Sequence, residues 1–273
     1  MKSRLLKALA LAVFACAIVA GPASAAPSWA PASSATIHPG VQTFTAGAQC
    51  TANFVFYDAS NVYLGQAAHC SGTGTATETN GCDSGSLPIG TPVEVGGAGQ
   101  PGTLVYNSWL TMQAKGETDP DTCAYNDLAL VRLNPADVGK VNPTVPIWGG
   151  PTALGATTQL CDKVYSYGNS SLRGGIAQLS PKEGYSLGDD AGGWTHTVYT
   201  VTPGIPGDSG SAFLSKDGHA LGILSTVAIA PVTGSNGVGD LQHEFEYLRA
   251  NGSGFGGVEL ALGTEPFAPG NLP

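Results

Sequence analysis

Apolar positions along the chain fall into short clusters instead of long helical stripes. Residues 51–57 (TANFVFY), 61–68 (NVYLGQAA), 102–109 (GTLVYNSW), 127–133 (DLALVRL) and 162–168 (DKVYSYG) are rich in β-branched and aromatic side chains, and Gly, Pro or Asn clusters separate most of them. Residues 174–180 (GGIAQLS), 195–202 (THTVYTVT) and 219–230 (HALGILSTVAIA) continue the pattern. Short strands at this spacing predict a sandwich or a barrel. A helical period surfaces once, late in the chain. In DLQHEFEYLRANG, Leu241, Phe245 and Leu248 share a face, Asp240 can cap the start and Gly252 stops the run, which predicts a helix over 240–250. GGVELALG follows as a last strand, and 263–273 read as a tail. The Pro- and Gly-rich segment 142–155 splits the strands into two sets, so the expected lobes are 37–145 and 146–262.

Composition adds a compartment to this picture. Lys2, Arg4 and Lys7 precede an apolar run from Ala8 to Ala20, and the small-residue site Ala23-Ser24-Ala25 follows. These are the three parts of a secretory signal peptide over 1–25, and the run is shorter than the roughly 20 residues needed to cross a bilayer. A short lead or pro-segment, 26–36, would come next. Removing the three basic residues of the signal from the 11 in the chain leaves 8 against 20 acidic ones. That balance argues against nucleic acid and anionic membranes as partners. Only 11% of residues are charged, against roughly 25% in ordinary soluble domains, which suits a β- and turn-rich chain with few surface helices. Cys16 leaves with the signal. In an oxidising compartment Cys50, Cys70, Cys82, Cys123 and Cys161 are disulfide candidates. No CxxC or HExxH run is present and the histidines are scattered, so neither a metal nor another cofactor is expected.

The stretch with the most chemical content is GDSGS, Gly207 to Ser211, introduced by Pro203 and Pro206. Gly, Ser and Asp are ordinary turn residues, so a plain surface turn is one reading. A serine can also be a nucleophile if a base stands within hydrogen-bonding reach and a third group holds that base. His69 suits the base: it sits in GQAAHC, at a strand end and next to Cys70. Asp127 suits the orienting carboxylate, because it heads the apolar strand DLALVRL that can anchor it beneath an imidazole.

Taken together, AAHC, NDLALVRL and GDSGS resemble the three signature segments of the chymotrypsin-like serine peptidases, and the short lead into Cys50 and the SYG ending at Gly168 resemble the secreted bacterial branch. The likeness runs from about Ile37 to Ala250. It implies an all-β fold of two antiparallel six-stranded β-barrels with a C-terminal helix and an active site in the crevice between them. His69 is implied as general base and acid, Asp127 as its orienter, Ser209 as nucleophile, and the N–H groups of Gly207 and Ser209 as the oxyanion hole. Asp208 would be buried beneath the turn and needs a partner that the sequence does not name. The implied disulfides are Cys50–Cys70 and Cys82–Cys123, with Cys161 unpaired. The implied specificity pocket is walled by Pro203, Gly204 and Ile205 and by Ser225, Thr226 and Val227. No acid lies between Asp190 and Asp208, and Leu224, not a histidine, precedes Ser225, so an apolar pocket is expected. Gln66 and Ser211 depart from the usual threonine and glycine of the signatures.

A secreted, monomeric endopeptidase acting on polypeptides is the reading these features favour. Two rivals remain at this level. GDSGS also fits GxSxG, the nucleophile elbow of secreted esterases and lipases, but that motif needs a strand before it and a helix after it, and SAFLSKDG is no helix. An inactive binding protein on the same scaffold would normally have lost one of the three residues, and none is lost.

Overall fold

The computed structural model describes residues 26–75, 79–155, 157–228 and 234–270. The signal segment 1–25, with Cys16, and residues 229–230 of an expected strand lie outside them. None of the described helices is long and apolar enough to cross a membrane.

Two antiparallel sheets form the body, as the all-β expectation requires. Seven strands precede the link: β1 (Gln42–Thr45), β2 (Ala48–Thr51), β3 (Val55–Tyr57), β4 (Val62–Ala67), β5 (Pro92–Val95), β6 (Gly102–Asn107) and β7 (Leu128–Arg132). Six of those after it are β8 (Lys163–Tyr167), β9 (Pro181–Asp190), β10 (Thr195–Thr200), β11 (Ala212–Ser215), β12 (Ala220–Ala228) and β13 (Ser235–Asp240). The second set closes into a barrel in the order β10-β13-β12-β11-β8-β9. The first set rolls into an open sheet, and its edge is completed from the far end of the chain by β14 (Glu259–Leu260), giving the order β14-β3-β4-β7-β6-β5-β1-β2. Glu259 pairs with Tyr57 and Leu260 with Phe56, and the Tyr57 hydroxyl donates to Glu259 Oε2 at 2.9 Å. The expected lobe 146–262 therefore gives its last strand to the first sheet, where it covers the exposed edge of a three-residue strand.

The C-terminal helix lies where its period places it, at Leu241–Asn251, with Asp240 accepting from the His243 N–H at 2.9 Å as its cap. Phe245 and Leu248 of this helix are buried with Phe56, Leu128, Leu130 and Trp148, in an apolar cluster shared by both lobes. Two further helices are absent from the sequence reading. The strand expected over 102–109 ends at Asn107, because the Asn107 side chain accepts from the N–H groups of Trp109 and Leu110 and opens a helix at Ser108–Lys115. A second short helix, Pro120–Tyr125, starts on the cap Asp119. The strand expected over 174–180 does not form. Gly174 (φ 62°) and Gly175 (φ 80°) adopt left-handed backbone, and 3-10 turns at Ser171–Arg173 and Ala177–Leu179 occupy the stretch instead. Extended backbone resumes at Pro181.

Candidate active site

The register of β4 against β7 brings the first two candidates together. Ala67 pairs with Leu128, so the next position outward sets Ala68 opposite Asp127, and the Ala68 N–H donates to the Asp127 carbonyl. The chain then tightens into a 3-10 turn, Ala68–Ser71, that swings His69 over the Asp127 carboxylate. Cys70 fixes this turn to β2 through its disulfide with Cys50, and Cys82–Cys123 is the second bridge; Cys161 is free and exposed. The sulfurs of Cys50 and Cys70 lie near His69, but they are spent in the bridge and offer no thiolate to a metal.

Asp127 is almost fully buried, and both its oxygens are used. Oδ1 accepts from the His69 main-chain N–H at 2.9 Å, and Oδ2 lies 2.6 Å from His69 Nδ1. A carboxylate partner requires the proton on Nδ1, which leaves Nε2 as an acceptor facing out. Burial opposes charge on this imidazole, but the adjacent Asp127 carboxylate outweighs it and raises the His69 pKa above its ordinary value. Oδ2 also accepts from the Ser225 hydroxyl at 2.6 Å. Ser225 reaches it because β12 is irregular there: Leu224 pairs with Val238 and Thr226 with Gly237, which leaves Ser225 outside the ladder and re-aims its side chain. A residue expected to wall a pocket thus also anchors the carboxylate.

The GDSGS turn docks against the same strand end. Gly210 has φ 84°, and a Cβ there would lie 2.8 Å from the Ala67 nitrogen and 2.7 Å from the Thr51 carbonyl oxygen, so only glycine lets the turn approach β4 this closely. The Thr51 N–H donates to the Ser209 carbonyl (2.9 Å) and the Gly210 N–H to Leu224 (2.7 Å). These contacts fix Ser209 beside the end of β4, two residues before His69. No hydrogen bond joins Ser209 Oγ to the imidazole here, a contact that in free enzymes is commonly long and tightens with substrate in place. Gly207 (φ 94°) turns its carbonyl inward, where Gln49 Nε2 (2.9 Å) and Thr51 Oγ1 (2.8 Å) donate to it. Among the described residues, the N–H groups of Gly207 and Ser209 have no acceptor.

Asp208 points the other way, into the barrel, and finds the partners its sequence left unnamed. Arg173 donates to Oδ2, and Lys182 Nζ lies 3.0 Å from the same oxygen. The N–H groups of Ser170 (3.0 Å) and Ile205 (3.2 Å) complete the set. Lys182 was legible in principle: Lys182, Gly184 and Ser186 alternate as the inward face of β9, and an inward lysine needs an anion. Both cations also lie 3.3 Å from the Pro203 carbonyl. Of the other residues expected to wall a pocket, Gly204 is buried with its N–H on Asn236 Oδ1 (3.1 Å), Ile205 and Thr226 are half-buried, and Val227 is exposed.

His196, not assigned a role from the sequence, is buried between two carboxylates, with Nδ1 2.6 Å from Asp189 and Nε2 2.9 Å from Asp240. Burial disfavours its charge, but these two acids raise its pKa.

An open sheet and a closed barrel, with the His69 and Ser209 loops meeting where they join, make up a chymotrypsin-like fold. Solved structures of bacterial serine proteases share it. Protease A of Thermobifida fusca superposes with a TM-score of 0.52 over 83% of this chain and 99% of its own, at 17% identity. A glutamic acid-specific serine protease described as using a histidine triad in substrate binding gives 0.52 over 82% and 100%, at 18% identity. The chymotrypsin of Cellulomonas bogoriensis gives 0.50 over 83% and 98%, at 16% identity. No family model matches the chain, and no curated protein matches it in sequence.

Proposed function

We propose that this chain is a secreted serine endopeptidase with Ser209 as nucleophile, His69 as general base and acid, and Asp127 as orienter. One observation carries the reading: a single buried carboxylate, Asp127, takes His69 Nδ1 on the oxygen that Ser225 also anchors, beside the docked Ser209 turn. In the reaction Ser209 Oγ attacks the peptide carbonyl as its proton passes to His69 Nε2. The carbonyl oxygen takes up negative charge against the N–H groups of Gly207 and Ser209. The imidazolium then protonates the departing amine, and a water molecule, deprotonated by the same nitrogen, releases the acyl group and restores Ser209. The signal-like N-terminus and the two disulfides support secretion.

Labelling the purified protein with a fluorophosphonate tests the nucleophile. Peptide mapping should place the adduct on Ser209; an unlabelled serine in a folded, disulfide-intact protein would remove the peptidase and the esterase readings together. Casein against a short-chain ester then separates those two.

The cleavage preference follows from the pocket walls. The carboxylate behind these walls, Asp208, is already paired with Arg173 and Lys182, so a lysine or arginine side chain would find no free countercharge in it. His196 is engaged by two aspartates and cannot serve as a receptor for glutamate. Cleavage after uncharged apolar residues, small to medium ones favoured, is expected from a peptide-library assay. A clear preference for arginine, lysine or glutamate would overturn this pocket.

The pH profile has a definite sign. His69 must be neutral to act as base and its pKa is raised above 6.5, so kcat/KM should fall on acidification, with an acid limb centred above that value. An acid limb well below pH 6 would contradict the Asp127–His69 contact.

A further inference from the structure

The helix face that predicts α3 contains one residue its apolar pattern does not explain. Glu244 follows Leu241 by three positions and precedes Leu248 by four, so it belongs to the buried face, and it is fully buried. Its Oε1 accepts from the Asp127 main-chain N–H at 2.8 Å. We propose that Glu244 is a positioning residue for the active site, holding the main chain of Asp127 so that its carboxylate is aimed at His69 and Ser225. The inference rests on the peptidase reading of that site.

Three features support the assignment. The base of the helix is fixed: its cap Asp240 accepts from the His243 N–H and is held 2.9 Å from His196 Nε2 of the barrel. The fold also clears space for the carboxyl. A Cβ on Gly239 would lie 2.6 Å from Glu244 Oε1 and 3.1 Å from the Tyr125 carbonyl, so a strand position is left bare where Glu244 enters. Finally, among the described residues Glu244 supplies the one acceptor of the Asp127 main-chain N–H. Asp127 stands immediately before β7, and its amide donates to Glu244. A buried N–H without an acceptor is costly, and a displacement of about 1 Å in a catalytic group can lower turnover by about 10²-fold.

The protonation state follows from the surroundings. Burial, together with the charges of Asp127 and Asp240, pushes the Glu244 pKa well above its ordinary value, against the Asp127 N–H that favours the anion. Tyr106 also faces it, and no cation does so among the described residues. Among the described residues Oε2 has no hydrogen-bond partner. Burial and the neighbouring carboxylates thus favour the protonated form of Glu244. The folded protein binds this proton more tightly than the unfolded chain does. The contribution to stability is complete below about pH 4.5 and is lost as pH rises through the folded pKa.

The test compares Glu244→Leu and Glu244→Gln with the wild type. Glu244→Leu removes the acceptor and should lower kcat by about 10- to 100-fold with KM little changed. Glu244→Gln keeps a carbonyl acceptor and should restore most of the loss, and its stability should no longer decline above pH 4.5 relative to wild type. A second readout needs neither turnover nor the leucine variant to fold. The low-field NMR proton of His69 Nδ1 should persist in wild type and Glu244→Gln, and the Asp127 amide proton should shift in wild type only, as pH rises above 4.5 through the folded Glu244 pKa. If folded Glu244→Leu kept full kcat, or if the Asp127 amide behaved identically in wild type and Glu244→Gln, Glu244 would have no positioning role. Absent turnover in wild type, with the amide shift intact, would instead sink the peptidase reading.

Discussion

Ser209→Ala, His69→Ala and Asp127→Asn should each reduce kcat by about 10⁴-fold or more while leaving the fold intact. In the proposed mechanism the serine change removes the attacking oxygen and the histidine change removes the group that takes its proton. Asp127→Asn acts differently. An amide oxygen can still accept from the His69 main-chain N–H, but an amide nitrogen set against Nδ1 forces the imidazole into the other tautomer, with its proton on Nε2 facing Ser209. The base is then blocked without moving. Ser225 also loses its charged acceptor at the same oxygen. Because the three side chains act as a unit, the double variants should be little slower than the singles. Steady-state kinetics on casein, with circular dichroism as the control for fold, provide the measurement; near-full activity in Asp127→Asn would displace it as orienter.

The parts of this site legible in the sequence are those with a fixed local context. His69 and Asp127 each sit at the end of an apolar strand, and Ser209 lies in a glycine turn, so residue type and position along the chain were enough to nominate them as candidates. The contacts that arise from pairing between distant segments were not legible. Ser225 becomes an anchor for Asp127 only because β12 bulges there, and the sequence LGILSTVA does not announce a bulge. Arg173 immediately precedes the expected strand 174–180, whose β-like composition is overridden by two left-handed glycines, so its reach to Asp208 had no precursor in the periodicity. Glu244 is an intermediate case. The helix and its face were predicted, and reading the face for its polar member as well as its apolar ones would have found it.

Asp208→Asn should be the most destabilising single change in the active-site turn, costing about 3–5 kcal/mol, because it strands two buried cations that now share one carboxylate. The two cations are not equivalent. Lys182 is wholly buried, and burial, only partly opposed by the Asp208 charge, lowers its pKa below the ordinary lysine value. Charging it in the folded state is thus costly, so folded stability should rise as pH climbs from the folded Lys182 pKa toward 10.5, where the unfolded chain also loses the proton. Lys182→Met, which keeps most of the volume and leaves Arg173 paired with Asp208, should be close to neutral or stabilising and should abolish that alkaline rise. Arg173→Met should be destabilising, since a buried anion is then left with a reluctant cation. Urea denaturation of the three variants between pH 6 and 10 separates these outcomes, and a cost for Lys182→Met as large as that for Asp208→Asn would show that both cations are needed as charges. The consequence for activity follows from where the partners come from. Arg173 and Lys182 flank the start of β9, inside the barrel that carries Ser209, so the turn presenting the Gly207 and Ser209 N–H groups is held from within and does not depend on a newly freed N-terminus. Protein retaining residues 26–36 should therefore react with a fluorophosphonate as fast as protein trimmed to Ile37.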